Sequence, residues 1–102
     1  MYRWSRAAYI AAGKMEGALA WAQEIAAYVS ANYGMDVAVG LEAFGEVGRV
    51  HWFSEPESLA QWEEINAKLM ADPAYMAKIN EAADLFMAGT FKDTLVMLLP
   101  ST

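Results

Sequence analysis

The clearest pattern in the chain is an alternation of apolar and polar positions on both sides of a short glycine-flanked turn. Residues 36–44 alternate apolar with polar or small side chains, and a second alternating run begins at Arg49. Gly45 and Gly48 are the first and last of the four residues that separate the two runs. A period of two residues, interrupted by a short glycine-containing turn, predicts a β-hairpin.

The predicted register of this hairpin decides which side chains share a face. Symmetric pairing across the turn at 45–48 would place Glu42 opposite His51 and Gly40 opposite Phe53. The opposite face would then carry the apolar residues Val39, Leu41, Val50 and Trp52. A slip of one residue would exchange the two faces, and Gly40 could mark a bulge.

The segment before the hairpin predicts a strand and then a helix. Residues 2–10 mix aromatic and polar positions, which is typical of a strand. From about residue 14 to 32, apolar residues recur every three or four positions, and Gly34 follows as a helix stop. The apolar stripe comprises Ala18, Trp21, Ala22, Ile25, Tyr28 and Val29.

The segment after the hairpin predicts two helical pieces and a last strand. Ser58 opens a capping-box pattern at the start of the first piece. Asp72 suits an N-cap and Pro73 suits the first helical position, so a second piece starts there and ends at Gly89. Residues 91–100 predict a strand that is apolar on both faces.

The order of these elements is strand, helix, strand, strand, helix, strand. It predicts an α+β fold: a ferredoxin-like βαββαβ sandwich of one domain, residues 1–102, with an antiparallel four-stranded sheet and helices on one face. The last strand is apolar on both sides, and Phe53 points away from the helices in the predicted register. We therefore expect the uncovered sheet face to be apolar and to pack against a second copy as a homodimer.

Composition excludes several function classes. Hydrophobic residues make up 57% of the chain, and this surplus calls for a pocket or a subunit interface. The net charge is -6 and the seven basic residues are scattered, which argues against nucleic-acid binding. No aliphatic run is long enough to span a bilayer, so no membrane association is predicted. Lys14 and Glu16 interrupt the first apolar stretch, which argues against a secretory signal and favours a cytoplasmic protein.

Three stretches carry a resemblance to a known family: HWFSEPESLAQWEE after the hairpin turn, ADPAY, and KDTLVMLL. Together with the predicted topology, they resemble the dimeric α/β-barrel superfamily. The closest similarity is to small NIPSNAP-like domains, with antibiotic-biosynthesis monooxygenases as more distant relatives. The resemblance implies a dimer whose facing sheets enclose a cavity. Some members are cofactor-independent oxygenases, isomerases or haem-degrading enzymes, and many have no known activity.

The haem-degrading members use an Asn, Trp and His set with the histidine on a helix. The only histidine of this chain, His51, lies in a predicted strand, so this part of the resemblance does not carry over. The chain has no cysteine, and one histidine among scattered carboxylates does not compose a zinc site. No metal and no cofactor are predicted.

His51 and Glu42 are the candidate catalytic residues. A carboxylate beside an imidazole orients it for proton transfer near neutral pH. The alternative is a structural ion pair within a mostly apolar interface, because a buried carboxylate needs a partner.

Four further residues are candidate ligand contacts: Tyr9, Phe53, Trp4 and Arg6. Tyr9 would offer a hydroxyl group, Arg6 a cation, and the other two an aromatic wall. Against this, an arginine is often a solvated surface charge and aromatic residues are often core, as expected for Trp52 and Trp62.

The sequence thus predicts a small homodimer that binds an apolar or aromatic molecule between its sheets. The resemblance implies that it would act on that molecule as a cofactor-independent oxygenase or isomerase. The alternative is a non-catalytic dimer that serves as an interaction or scaffold module.

Overall fold

The computed structural model describes residues 1–45 and 47–100. Within them, the segments with alternating and helical periodicity form seven strands and helices. In chain order they are β1 (Tyr2–Tyr9), α1 (Met15–Tyr33), β2 (Ala38–Leu41), β3 (Arg49–Ser54), α2 (Leu59–Met70), α3 (Pro73–Glu81) and β4 (Lys92–Met97). The strands form one sheet in the order β2-β3-β1-β4, and every neighbouring pair is antiparallel. The predicted α+β, ferredoxin-like βαββαβ arrangement is confirmed.

The helix ends follow their capping residues. Gly34 closes α1 in the left-handed conformation, with φ of 67°. The Ser58 hydroxyl accepts a hydrogen bond of 3.0 Å from the backbone N–H of Gln61 at the start of α2. Asp72 caps α3 and Pro73 is its first residue, so the predicted break between the two helical pieces is confirmed.

The predicted end of the second helical piece at Gly89 is wrong, because α3 ends at Glu81. Residues 82–85 form turns, and Phe86 then pairs with Ile10 as an isolated β-bridge. The backbone N–H of Met87 donates to the carbonyl of Tyr9 at 2.8 Å. Pairing with the end of β1 therefore replaces the helical hydrogen bonds in this segment.

The predicted hairpin register is wrong by two residues, although the faces are right. Gly40 pairs with His51, and Ala38 pairs with Phe53. The backbone N–H of Glu42 donates to the carbonyl of Arg49 at 3.0 Å, so the connection is wider than the turn predicted at 45–48. A shift of an even number of residues leaves each side chain on its predicted face. Within that predicted turn, Glu46 lies outside the described residues.

The core lies between the sheet and the helices. The sheet contributes Trp4, Ala8, Val50 and Trp52, all at most 9% exposed. The rings of Trp21 from α1 and Trp52 meet edge to face at 6.1 Å, and both contact Phe86. The prediction of Trp52 as a core residue is confirmed, and Trp62 is half-buried against the same core.

The helices of the chain do not cover the other face of the sheet, and we call it the open face. Since paired residues share a face, it carries Arg3, Ser5, Ala7, Tyr9, Ala38, Gly40, Arg49, His51, Phe53, Lys92, Thr94 and Val96. The expectation of a broadly apolar open face is wrong, because most of these side chains are small or polar. Phe53 and Val96 are its large exposed apolar side chains, at 39% and 47%.

No helix within the described residues is both long and apolar enough to cross a membrane.

Candidate functional site

The six candidate residues divide between the two faces of the sheet. Tyr9, His51 and Phe53 lie on the open face, where the Glu42 carboxylate reaches His51. Trp4 pairs with Ser54 and Leu95 on the helix-covered face, and Arg6 pairs with Trp52 on that same face. The expectation that Trp4 and Phe53 form one aromatic wall is therefore wrong, and Arg6, whose face the sequence did not decide, lies on the same face as Trp4. The cause is the strand geometry. Side chains alternate between the two faces along a strand, and Trp4 and Tyr9 are separated by an odd number of positions in β1, so they point to opposite faces.

A compact cluster of polar side chains forms on the open face around Glu42. The Glu42 Oε1 atom lies 2.6 Å from Nε2 of His51, and the same oxygen accepts a hydrogen bond from Nε of Arg49. The Glu42 side chain is 14% exposed and that of His51 is 22% exposed. The predicted contact between Glu42 and His51 is thus confirmed, across a diagonal rather than between directly opposed residues.

Aromatic contacts extend this cluster in both directions. The imidazole of His51 stacks on the ring of Phe53, with centroids 5.6 Å apart and planes 4° apart. The guanidinium of Arg49 lies over the Tyr9 ring at 5.6 Å. The result is a row of five contacting side chains in which a carboxylate orients an imidazole, an arrangement that can transfer a proton.

A separate cavity of about 60 Å³ lies between the sheet and the helices. Its walls combine aliphatic side chains with six aromatic ones: Trp4, Trp21, Trp52, Trp62, Tyr75 and Phe91. Since roughly 10 to 15 Å³ of such space suffices for one water molecule, the cavity is larger than a single water molecule requires. Apolar walls with a few polar groups are typical of small-molecule sites.

The two candidates on the helix-covered face, Trp4 and Arg6, both line this cavity. The Arg6 guanidinium makes two parallel hydrogen bonds to Asp93, at 2.7 Å and 2.9 Å, and lies 5.4 Å from the Trp4 ring. Asp93 raises the pKa of Arg6 above its ordinary value, and burial opposes this. Arg6 therefore sits at the cavity as a charge that Asp93 already compensates.

Sequence reasoning missed two polar residues of the cavity, Asn66 and Tyr75. Asn66 follows Trp62 by four positions on α2, a spacing that places both on one side of a helix. A polar amide beside a tryptophan at the edge of an apolar stripe was the available signal. Tyr75 shares an apolar stripe with Met76 and Ile79, and that spacing carries no signal of a role for its hydroxyl group.

A second polar cluster joins α1 to the start of α3. The hydroxyls of Tyr28 and Tyr33 donate to the same oxygen of Asp72, at 2.6 Å and 2.7 Å. These hydrogen bonds lower the pKa of Asp72, and they raise the pKa of Tyr28 and raise that of Tyr33 to about 12. Because the other Asp72 oxygen caps α3 through the N–H groups of Ala74 and Tyr75, the cluster has a structural role.

Among residues 1–45 and 47–100, no three His, Asp or Glu side chains lie together as a metal-binding group would require.

Solved structures share this fold across nearly the whole chain. A NIPSNAP domain protein from Burkholderia xenovorans matches with a TM-score of 0.81 and 18% identity, covering 99% of this chain and 95% of its own. A NIPSNAP family protein from Agrobacterium tumefaciens matches at 0.75 with 23% identity, over 98% and 92% of the two chains. A candidate antibiotic biosynthesis monooxygenase from Deinococcus radiodurans matches at 0.75 with 13% identity, over 100% and 96%.

No protein-family model and no curated protein matches the sequence. The structural neighbours carry the two family names that the sequence resemblance implied, which confirms that resemblance at the level of the fold. Identities below a quarter establish the fold alone, so the function has to be argued from this chain's own residues.

Proposed function

We propose that the protein binds a small apolar or aromatic molecule in the cavity between its sheet and its helices. The observation that carries this proposal is the ring-lined space of about 60 Å³, whose walls include Trp4, Trp62 and Asn66. A close-packed interior contains few voids larger than a water molecule, so a space of this size calls for an explanation. The position differs from the one expected from the sequence, between the sheets of a dimer.

The test is binding of ethylbenzene to the wild type and to two Ala→Leu variants. Ala26 lines the cavity, whereas Ala38 is exposed on the open face beside Phe53. Ala26→Leu should fill the cavity and abolish binding, and Ala38→Leu should leave it unchanged. The reverse result would place the ligand on the open face, and no binding to the wild type would overturn the proposal.

The reaction, if the bound molecule is a substrate, would be a cofactor-independent oxygenation or isomerisation. Support comes from a neighbour named as a candidate antibiotic biosynthesis monooxygenase. Oxygen uptake that depends on the bound aromatic molecule would favour oxygenation over isomerisation. A ligand recovered unchanged would favour binding without catalysis.

A second candidate function uses the open face. The contact of 2.6 Å between Glu42 and His51 supports an acid/base role for His51, with Glu42 as its orienting partner and Tyr9 and Phe53 as ligand contacts. His51→Gln should leave stability nearly intact if the role is chemical. A large stability loss would favour the structural ion pair.

A homodimer formed through the open face would enclose this second site. The uncovered sheet, with Phe53 and Val96 exposed on it, supports the proposal. Sedimentation at micromolar concentration should show a dimer, and a clean monomer would remove the basis for a shared cavity. A dimer whose open faces fill each other completely would favour the scaffold alternative.

We keep the cytoplasm as the proposed location, because a chain without cysteine does not depend on an oxidising compartment.

A further inference from the structure

The indole N–H of Trp4 is the unusual group of the cavity. Trp4 is 9% exposed and lines the cavity, and its Nε1 atom has no hydrogen-bond partner within the described residues. Two other tryptophans of the cavity wall are satisfied: Trp21 donates to the carbonyl of Lys78 at 2.9 Å, and Trp52 donates to that of Ala22 at 3.1 Å. Because buried donors are nearly always paired, the Trp4 N–H points to an acceptor that the chain does not supply.

The charge of the cavity restricts what that acceptor can be. Arg6 is the one ionic side chain among the described lining residues, and it already donates two hydrogen bonds to the Asp93 carboxylate, which compensates its charge. The polar groups that remain, Asn66 and the Tyr75 hydroxyl, are uncharged. An anion entering this space would lose its hydration without gaining a free cation, whereas a neutral acceptor would lose much less.

We propose that the cavity takes an uncharged ring that bears a carbonyl oxygen, and that this oxygen accepts the hydrogen bond of the Trp4 indole. This inference rests on the proposed function, since it names the ligand class of the same cavity. Trp4 is then the residue that determines specificity, while the surrounding rings supply affinity without regard to polar groups. The Arg6–Asp93 pair excludes acids.

The test compares three single-ring probes of similar size. Acetophenone carries a carbonyl oxygen, ethylbenzene carries none, and benzoate is an anion. Acetophenone should bind the wild type about five- to tenfold more tightly than ethylbenzene, as expected for one added hydrogen bond. Benzoate should bind more weakly than both.

Trp4→Phe removes the N–H and keeps an aromatic ring, so it should abolish the preference for acetophenone and leave ethylbenzene binding nearly unchanged. Trp62→Phe is the matched control, because it makes the same exchange at another ring of the cavity wall and should keep the preference. Equal affinities for acetophenone and ethylbenzene in the wild type would overturn the inference while leaving the proposed function intact. Tightest binding of benzoate would also overturn it, and no binding of any probe would overturn both.

A second measurement does not depend on the variant folding well. In a proton–nitrogen correlation spectrum of the wild type, acetophenone should move the indole N–H signal of Trp4 downfield. Ethylbenzene should move it much less, and the hydrogen-bonded signals of Trp21 and Trp52 should change little with either probe. A Trp4 signal that responds equally to both probes would overturn the inference.

Discussion

Strand β3 shows the contrast between the two faces of this molecule in six residues. Val50, Trp52 and Ser54 are at most 4% exposed and point to the helices. Arg49 and Phe53 alternate with them and stay partly exposed on the open face. One strand thus supplies buried residues of the core and, through Arg49 and His51, two members of the cluster around Glu42.

The difference between the two faces separates the residues that stabilise the fold from the polar residues that could carry chemistry. The covered face is closed by rings in mutual contact, such as Trp52 with Phe86 at 5.8 Å and with Phe91 at 6.3 Å. The open face holds its groups through hydrogen bonds and ion pairs that solvent can reach. We therefore expect substitutions on the covered face to change the free energy of unfolding most, and those on the open face to change reactivity more than stability.

The largest expected effect is at Trp52. Trp52→Ala should lower the free energy of unfolding by about 3 to 5 kcal/mol, because it opens a large cavity and leaves the carbonyl of Ala22 without its indole donor. Urea denaturation followed by circular dichroism would measure the loss. Trp52→Phe keeps most of the ring and should cost less. Equal, small losses in both variants would mean that the covered face is not the main source of stability.

The next effect is at Glu42 on the open face. Glu42→Gln should lower the free energy of unfolding by about 1.5 to 3 kcal/mol, because Arg49 and His51 both lose a charged acceptor that is only 14% exposed. Glu64→Gln is the matched control. Its pair with Lys68 is exposed on both sides, so it should cost about 0.5 kcal/mol or less. Equal losses from the two variants would show that the Glu42 cluster is solvated.

Much of the covered face could be predicted from the sequence. Periods of two and of three to four residues placed Val50, Trp52 and the stripe of α1 correctly, because burial imposes those periods. The faces of the hairpin were right even though its register was not. The register depends on how the connection after Leu41 closes, and Gly45 adopts a φ of 107° there that no periodicity reveals.

The site was harder to predict than the fold. Residues 2–10 carry aromatic and charged side chains on both alternating sets, so the pattern could not assign Trp4 and Arg6 to a face. Their orientation follows from pairing with β3 and β4, which is non-local. The cavity likewise unites β1 with Asn66 of α2 and Tyr75 of α3, and their distances in sequence carry no signal of this proximity.

The cluster of Asp72 with Tyr28 and Tyr33 ties the helices of the covered side together, and its contribution should depend on pH at both extremes. The pKa of Asp72 is lowered in the folded state, so its contribution is present above the ordinary pKa of an aspartate and is lost as pH falls through the lowered value. The pKa of Tyr33 is raised to about 12, so its contribution is complete below the ordinary value of 10.0 and is lost as pH rises toward 12.

Urea midpoints measured from acid to alkaline pH would check both limits. Asp72→Asn should flatten the acid limb of the curve of urea midpoint against pH, and Tyr33→Phe should flatten its alkaline limb, because each removes the titrating group. Glu57→Gln changes an exposed carboxylate outside the cluster and should leave both limbs as they are. Limbs that are identical in the wild type and in the two cluster variants would contradict the assignment.

The smallest effect on a single chain is expected at Phe53, and its size depends on what covers the open face. Phe53 is 39% exposed and contacts the His51 ring, so Phe53→Ala should cost about 1 kcal/mol where the face is solvated. Dimerisation through this face would bury the ring further, and the cost would then grow with protein concentration, because association stabilises the folded state by mass action. Urea denaturation of the wild type and Phe53→Ala at two concentrations a hundredfold apart would measure this. A cost that stays constant and small at both would exclude Phe53 from any interface between copies, and the neighbouring residue Trp52 would retain its large effect in either case.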